Sequence, residues 1–175
     1  ATRVITCSVH AEQAVFLLNP DGQCWKFTQA SEGGIACTPI ANVPDASGKP
    51  LFAFPAGPAD AQRLHVGIVD QGQSEIKIQQ YNGTAWEPAG SYQFDSGEAT
   101  KLKGAACAIR NEEGDLNGLI VLAHDSDPSK SVVLLYNGAS QTLKATNRWV
   151  YPSLLPPSAV VQIAPTKVLE ARKGS

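Results

Sequence analysis

The tripeptide Tyr-Asn-Gly occurs twice in this chain, at 81–83 and 136–138, and it constrains the fold more than any other feature. Before the first copy, Leu64, Val66 and Ile68 alternate with other residues, and Ile76 and Ile78 do the same after a polar break. A period of two is typical of strands with one buried face. Asn-Gly favours a two-residue hairpin turn. The segment 63–86 is therefore predicted to be two strands, a tight turn and the start of a third strand.

The same pattern recurs on both sides of this segment. A shift of 55 residues places 119–121 on 64–66 and the second Tyr-Asn-Gly on the first, without a gap. A shift of 61 residues in the other direction places 22–25 on 83–86. The sequence therefore predicts a single all-β domain, 1–175, with repeats at about 1–48, 49–100 and 101–158. Repeats of about this length favour a propeller or an array.

Each repeat is predicted to contain four strands. Segments 51–54 and 104–109 supply the leading strands of the second and third repeats, whereas the first repeat has none of its own. We expect 159–163 to close the first repeat by terminal strand pairing, which would remove exposed sheet edges. Residues 167–175 are predicted to be a loose tail.

Two architectures fit three such repeats. The predicted hairpins and the terminal strand favour β-propeller blades, and the alternative is a β-trefoil. A propeller needs at least about four blades. Three blades in one chain therefore predict a homo-oligomer.

Charge and hydrophobicity exclude several function classes. The formal net charge is −2 and basic residues are not clustered, so we expect no nucleic-acid partner. No apolar run approaches the ~20 residues of a membrane-spanning helix, which predicts no membrane insertion. The histidines His10, His65 and His124 have no nucleophile motif near them, so we expect no enzyme activity and no cofactor.

The four cysteines include no CxxC pair, which argues against a metal site. They are interpreted either as small apolar core residues or as including one disulfide, between Cys24 and Cys37. The segment 82–84, Asn-Gly-Thr, matches an N-glycosylation acceptor. That motif and the possible disulfide favour a secreted protein, although the sequence does not fix the compartment.

The segment IVDQGQSEIKIQQYNGTAWEPAG, at 68–90, resembles a blade of the fungal and bacterial fucose-binding lectins. The resemblance implies blades of a six-bladed propeller, which some members assemble from short chains. It also implies a non-enzymatic, carbohydrate-binding function. The tryptophan after the family's turn is matched by Trp86 and Trp25. The positions of the family's sugar-binding arginine and glutamate hold apolar residues or glycine here, namely Gly67, Leu122, Ile78 and Val133.

Aromatic residues are the predicted ligand contacts, because an aromatic ring stacks well on the C–H face of a sugar. The candidates are Trp25, Trp86, Tyr81, Tyr136 and Trp149. The sequence therefore predicts a lectin-like protein that binds glycans or glycoproteins and gains avidity through oligomerisation. Two alternatives stay open at this point. One is a β-trefoil that binds a protein as a protease inhibitor does, and the other is a subunit with a purely structural role in an assembly.

Overall fold

The computed structural model describes residues 4–95, 102–124, 127, 132–146, 157–164 and 167–172. The described residues form three four-stranded antiparallel sheets and one two-stranded hairpin. Sheet 1 contains β1 (Ile5–Val9), a 3-10 turn (His10–Glu12), β2 (Ala14–Leu18), β3 (Cys24–Gln29) and β4 (Ile35–Ile40). Sheet 2 contains β5 (Leu51–Ala56), β6 (Arg63–Asp70), β7 (Glu75–Tyr81) and β8 (Trp86–Gln93).

Sheet 3 contains β9 (Leu102–Arg110), β10 (Leu116–His124), β11 (Val132–Asn137) and β12 (Thr142–Ala145), and the hairpin contains β13 (Pro157–Ala164) and β14 (Lys167–Arg172). The prediction of an all-β chain is therefore confirmed, as are the leading strands in sheets 2 and 3. Strands of different repeats hydrogen-bond into separate sheets, which disagrees with the β-trefoil alternative. Within the described part of the chain, no helix has the length and apolar character needed to cross a membrane.

The pairing of segment 159–163 differs from the prediction. This segment belongs to β13, which pairs with β14 rather than with sheet 1. Sheet 1 takes its fourth strand, β4, from its own repeat, and β14 occupies part of the predicted tail. Pro39 interrupts the strand pattern of β4 in the sequence, but an edge strand tolerates a residue without an N–H group. β4 is such an edge strand, because it is the last strand in the sheet order β1-β2-β3-β4.

The same finding corrects the register of the first repeat. β1 is the first strand of sheet 1, as β5 and β9 are of sheets 2 and 3, and these strands lie side by side in the order β1, β5, β9. The shift of 61 residues had placed β1 on β6, one strand too far along. Turn residues caused the error, because Asp21-Gly22 marks a hairpin without showing which hairpin of the repeat it is.

The Asn-Gly turns are four-residue loops rather than the predicted two-residue turns. Tyr81 pairs with Trp86 across the first loop, and Asn137 pairs with Thr142 across the second. In each loop the asparagine side-chain oxygen accepts hydrogen bonds from two backbone amides of the loop, at 2.9–3.0 Å. Asparagine closes a turn well in this way, because its side chain imitates a backbone carbonyl.

The sheets stack face to face, and the core lies between them. Phe16 and Leu18 of sheet 1 belong to one buried cluster with Leu64, Val66 and Ile68 of sheet 2. The other face of sheet 2 packs against sheet 3 in a second cluster, which includes Phe52, Phe54, Ile78, Ile120, Leu122, Leu134 and Tyr136. The far face of sheet 3 has a third cluster, and β13 lies beside β9.

Two strand-interior glycines make room for phenylalanine rings in this stack. A Cβ atom at Gly67 would lie 2.0 Å from Cζ of Phe52, its cross-strand partner on β5. A Cβ atom at Gly118 would lie 2.6 Å from Cε2 of Phe54, which belongs to the adjacent sheet. Glycine inside a strand often marks a close approach of this kind. Gly118 therefore allows sheet 2 to pack closely on sheet 3.

Candidate functional site

An open groove of about 530 Å³ lies at one end of sheet 1, where the β1–β2 and β3–β4 turns meet. The groove is lined by Ser8, Val9, His10, Gln13, Ala14, Val15, Phe27, Thr28, Gln29, Gly33, Gly34 and Ile35. Both turns lie at the same end because the four strands run alternately up and down. Four successive strands of one sheet therefore contribute to a single concave surface.

Backbone geometry fixes the two turns that form the rim of the groove. The β1–β2 turn ends at Gln13, which has a φ of 50° and donates its amide to the carbonyl oxygen of His10 at 3.0 Å. In the β3–β4 turn, the amide of Gly33 donates to the carbonyl oxygen of Ala30, also at 3.0 Å. Gly33 has a φ of 88°, a conformation that glycine adopts without steric cost.

The wall of the groove is apolar on one side and polar on the other. Val15 pairs with Phe27 across β2 and β3, and Ile35 pairs with Gln29 across β3 and β4. The polar groups are the hydroxyls of Ser8 and Thr28, the imidazole of His10 and the amides of Gln13 and Gln29. No lysine, arginine, aspartate or glutamate is among the lining residues. Hydroxyl and amide groups both donate and accept hydrogen bonds, so the groove suits a neutral polar ligand.

The groove opens on the side of sheet 1 that faces away from sheet 2. Successive side chains of a strand point to opposite faces, so the residues that alternate with the buried ones point away from sheet 2. We call this side the outer face of sheet 1. Its apolar residues are Val15, Leu17, Trp25, Phe27, Ile35, Cys37 and Pro39, and its polar residues include Thr6, Ser8 and Gln29. Val15 is 43% exposed and Ile35 is 77% exposed.

Among the predicted ligand contacts that the structure describes, Trp25 is the one that lies on a strand lining the groove. It lies two residues before Phe27 on β3, and on the same face. Its neighbours across the strands are Leu17 and Pro39. Trp25 is half-buried, so part of its ring stays accessible.

Tyr81 and Trp86 lie elsewhere, at the contact between sheets 1 and 2. Their rings are 5.3 Å apart, and Tyr81 is buried with its hydroxyl 3.1 Å from the carbonyl oxygen of Gly83, to which it donates. The indole N–H of Trp86 donates to the carbonyl oxygen of Ala41 at 2.7 Å. This bond ties the segment after β4 to sheet 2. The polar ends of both rings are thus used inside the protein rather than for a ligand.

Tyr136 is fully buried between sheets 2 and 3, which contradicts its predicted role as a ligand contact. Its hydroxyl donates to the carbonyl oxygen of Ala89 at 2.7 Å, and its ring packs on Phe54 and His65. Burial raises the pKa of Tyr136 to about 12. The fifth candidate, Trp149, lies outside the described residues.

The positions at which the resemblance would place an arginine and a glutamate belong to the core. Ile78 is 1% exposed and Leu122 is 0% exposed. Gly67 lies under the ring of Phe52, and Val133 is buried on the far face of sheet 3. A charged side chain at these positions would be buried without a partner, at a high cost in free energy. The groove, which uses other residues, is therefore the candidate site.

The cysteines do not form the disulfide that the sequence left open. Cys24 lies on the buried face of sheet 1, whereas Cys37 lies on the exposed outer face, so their side chains point in opposite directions. Cys7 and Cys24 belong to the core, in agreement with the first interpretation. Among the described residues, no cluster of three or more His, Cys, Asp or Glu side chains could hold a metal ion.

Thiol labelling should distinguish the exposed Cys37 from the buried Cys7 and Cys24 by their rates of reaction. We expect maleimide to modify Cys37 in the folded protein within minutes, whereas Cys7 and Cys24 react only after unfolding. Burial raises the pKa of both core thiols to about 12, so almost no reactive thiolate forms at neutral pH. Mass mapping of the labelled peptides, with and without urea, checks this. Fast labelling of Cys24 in the folded protein would contradict its placement on the buried face.

A search with protein-family models finds no match, and neither does a comparison with curated protein sequences. Among solved structures, a triple arginine-to-alanine mutant of AofleA from Arthrobotrys oligospora is similar to this chain at 13% identity, with a TM-score of 0.45. The matched region covers 83% of this chain, and this chain spans 42% of that protein's length.

Proposed function

We propose that this chain is a non-enzymatic carbohydrate-binding protein, that its sheets are propeller blades, and that the groove of sheet 1 binds the sugar. The observation that supports the proposal is the character of the groove. It combines an aromatic and aliphatic wall with hydroxyl, amide and imidazole groups, and its lining has no lysine, arginine, aspartate or glutamate. These are the partners that a neutral, polyhydroxylated ring requires on its apolar and polar edges.

The shape of the groove indicates a weak, exchangeable ligand. Ser8, His10, Gln13 and Gln29 are all exposed, so a bound sugar would stay partly in contact with water. A shallow site of this kind gives low affinity for one sugar unit. Several sites on one assembly raise the avidity by orders of magnitude, because later contacts are effectively intramolecular. A multivalent glycan or glycoprotein is therefore the proposed partner.

A glycan array combined with tryptophan fluorescence tests this function. Trp25 lies two residues from Phe27 on the same face, so a sugar in the groove should change its emission. We expect a neutral glycan to bind and to perturb this signal, and Trp25→Phe to reduce the perturbation. If no sugar perturbs the signal at millimolar concentration and no glycan is retained, the carbohydrate proposal is wrong and a purely structural role is favoured.

One substitution in the groove tests whether the sugar binds there or elsewhere on the protein. Gln29→Ala should weaken the binding of the glycan about fivefold, because it removes a side-chain hydrogen bond worth about 1 kcal/mol. Gln71→Ala, in the β6–β7 turn and outside the groove, is the matched control and should bind as the wild type does. Titration by fluorescence gives both dissociation constants. Equal weakening in the two variants would show that the sugar binds elsewhere.

A further inference from the structure

The two Asn-Gly turns hold their asparagine side chains in the same way. In the β7–β8 turn, the backbone amides of Thr84 and Ala85 donate to Oδ1 of Asn82, both at 2.9 Å. In the β11–β12 turn, the corresponding two amides donate to Oδ1 of Asn137, at 2.9 and 3.0 Å. Two backbone donors aimed at one carbonyl oxygen form an oxyanion hole, which stabilises the negative charge that develops when a nucleophile attacks that carbonyl.

A nucleophile lies next to each of these carbonyl groups in the chain. The backbone nitrogen of the following glycine can close a succinimide ring on Cγ of the asparagine. Glycine hinders this ring closure least, because it has no Cβ atom and leaves the backbone free to rotate. The attack requires that the Asn-Gly peptide rotates and that its N–H group is free of an internal partner. The two turns differ in both respects.

The Gly83 peptide is free, whereas the Gly138 peptide is held. Gly83 is exposed, and beyond its chain neighbours no atom lies within 4 Å of the position of a Cβ atom there. Within the described part of the chain, its amide donates to no acceptor. The amide of Gly138, by contrast, donates to Oδ1 of Asn117 at 3.1 Å. A Cβ atom at Gly138 would lie 2.9 Å from the backbone nitrogen of Gly57, so this peptide has no room to rotate.

The carboxylate of Glu87 orients the side chain of Asn82. It accepts a hydrogen bond from Nδ2 of Asn82 at 2.6 Å, so the other atom, Oδ1, faces the two backbone amides. Hydrogen bonds from Asn82 and Gln80 lower the pKa of Glu87, and the group is therefore charged at neutral pH. A second carboxylate at position 82 would lie beside this charge, and like charges at such a distance repel.

We propose that Asn82 is a site of spontaneous covalent modification, where the chain converts asparagine to aspartate and isoaspartate while Asn137 stays intact. The Gly83 nitrogen gives its proton to a solvent base and bonds to Cγ of Asn82, and the electron pair of the carbonyl moves to Oδ1. The intermediate collapses, the Cγ–Nδ2 bond breaks, and the nitrogen takes a proton from water and leaves as ammonia. Water then opens the succinimide ring at one of its two carbonyl groups, which gives aspartate or isoaspartate.

The modification changes the contact between sheets 1 and 2. Isoaspartate adds a methylene group to the main chain of the β7–β8 turn, and the new carboxylate replaces the hydrogen bond to Glu87 by repulsion. Trp86 follows this turn and donates its indole N–H to the carbonyl oxygen of Ala41, so we expect this bond to weaken. The inference is independent of the proposed function, because none of these residues lines the groove.

Peptide mapping by mass spectrometry tests the proposal on the full chain, kept for several days at mildly alkaline pH and body temperature. The mass change from amide to acid, and methylation by an isoaspartyl methyltransferase, report on each site separately. We expect Asn82 to be modified at least about tenfold faster than Asn137, which corresponds to an activation free energy lower by at least about 1.4 kcal/mol. In urea the two sites should react at similar rates, because both are Tyr-Asn-Gly sequences and the fold no longer distinguishes them.

Asn117→Ala provides the matched variant. It releases the amide of Gly138 and should raise the rate at Asn137 severalfold, while the rate at Asn82 stays unchanged. Two outcomes would overturn the proposal. One is an equal rate at the two sites in the folded wild type, and the other is an Asn82 that reacts in urea but stays intact in the folded chain. Both are measured on the wild type, so the proposal can be decided even if Asn117→Ala fails to fold.

Discussion

Phe54→Ala should lower the free energy of unfolding by about 4 kcal/mol, the largest effect expected of a single substitution here. Phe54 is 1% exposed and lies at the contact between sheets 2 and 3. Its ring centroid is 5.4 Å from that of Tyr136 and 5.5 Å from that of His65. Gly118 of sheet 3 lies directly beneath it. The substitution leaves a cavity between two sheets, where the backbone cannot close the gap.

Urea denaturation followed by fluorescence measures this loss. Ile35→Ala is the matched control, because it also shortens an apolar side chain but at a position that is 77% exposed. The control should change the free energy by no more than about 0.5 kcal/mol. A loss below about 1 kcal/mol in Phe54→Ala would mean that sheets 2 and 3 do not pack through this ring.

Much of this fold could be predicted from local sequence patterns. Leu64, Val66 and Ile68 alternate so regularly that β6 and the face it turns towards sheet 1 follow from the sequence. The leading strands β5 and β9 could be found for the same reason. The burial of the other face of β6 could not be predicted in this way, because His65 and Gly67 are not typical core residues and the packing of sheet 3 on them is tertiary. Gly67 and Gly118 carry a further signal, since glycine inside a strand indicates close packing.

Strand β4 and the candidate site could not be predicted in this way. β4 follows Gly33-Gly34 and contains Pro39, and these residues together indicate a loop when only the neighbouring sequence is considered. Its place at the sheet edge, where proline is tolerated, depends on tertiary structure. If β4 is not predicted, the β3–β4 turn cannot be placed, and the groove between the two turns cannot be predicted either. Ser8 and Gln29 look in the sequence like any solvent-exposed strand residues.

The aromatic candidates show why residue type alone does not identify a site. Tyr136 and Tyr81 follow the strand period that buries them, and their hydroxyls are satisfied by backbone carbonyls within the protein. Trp86 likewise uses its indole N–H to bind Ala41. Trp25 differs because its neighbours on β3 place it on the outer face. Which face is outer depends on the order of the sheets, and the sequence register of the first repeat was one strand off.

The stability of this protein should fall by about 3 kcal/mol as the pH is lowered from about 6.5 to about 4, because of His65. His65 is 2% exposed and stacks on Phe54, and its Nδ1 lies 2.9 Å from the carbonyl oxygen of Arg63. The pKa of His65 is lowered to about 4, mainly by burial; the hydrogen bond with the Arg63 carbonyl opposes this shift, and the nearby Arg63 charge adds to it.

The sign of the effect follows from proton binding. Above pH 6.5 His65 is neutral in both states and contributes no pH dependence. Between pH 6.5 and 4 the unfolded chain binds a proton that the folded chain does not, so the unfolded state gains about 1.4 kcal/mol per pH unit. The Lys49 ammonium, 3.1 Å from Asp70, lowers the pKa of that carboxyl below its ordinary value. The contribution of Asp70 is therefore lost at more acidic pH, outside this window.

His65→Asn tests this assignment, because asparagine keeps a hydrogen-bond donor near the position of Nδ1 but cannot be protonated. Free energies of unfolding measured by urea titration at several pH values should decline less steeply in this variant, by about 1.4 kcal/mol per pH unit. His10→Asn, which replaces an exposed histidine at the rim of the groove, is the matched control and should keep the wild-type profile. An unchanged slope in His65→Asn would mean that another group is responsible for the acid sensitivity. A flattened slope would instead show that the neutral imidazole of His65 stays buried between sheets 2 and 3, because burial is the main cause of its lowered pKa.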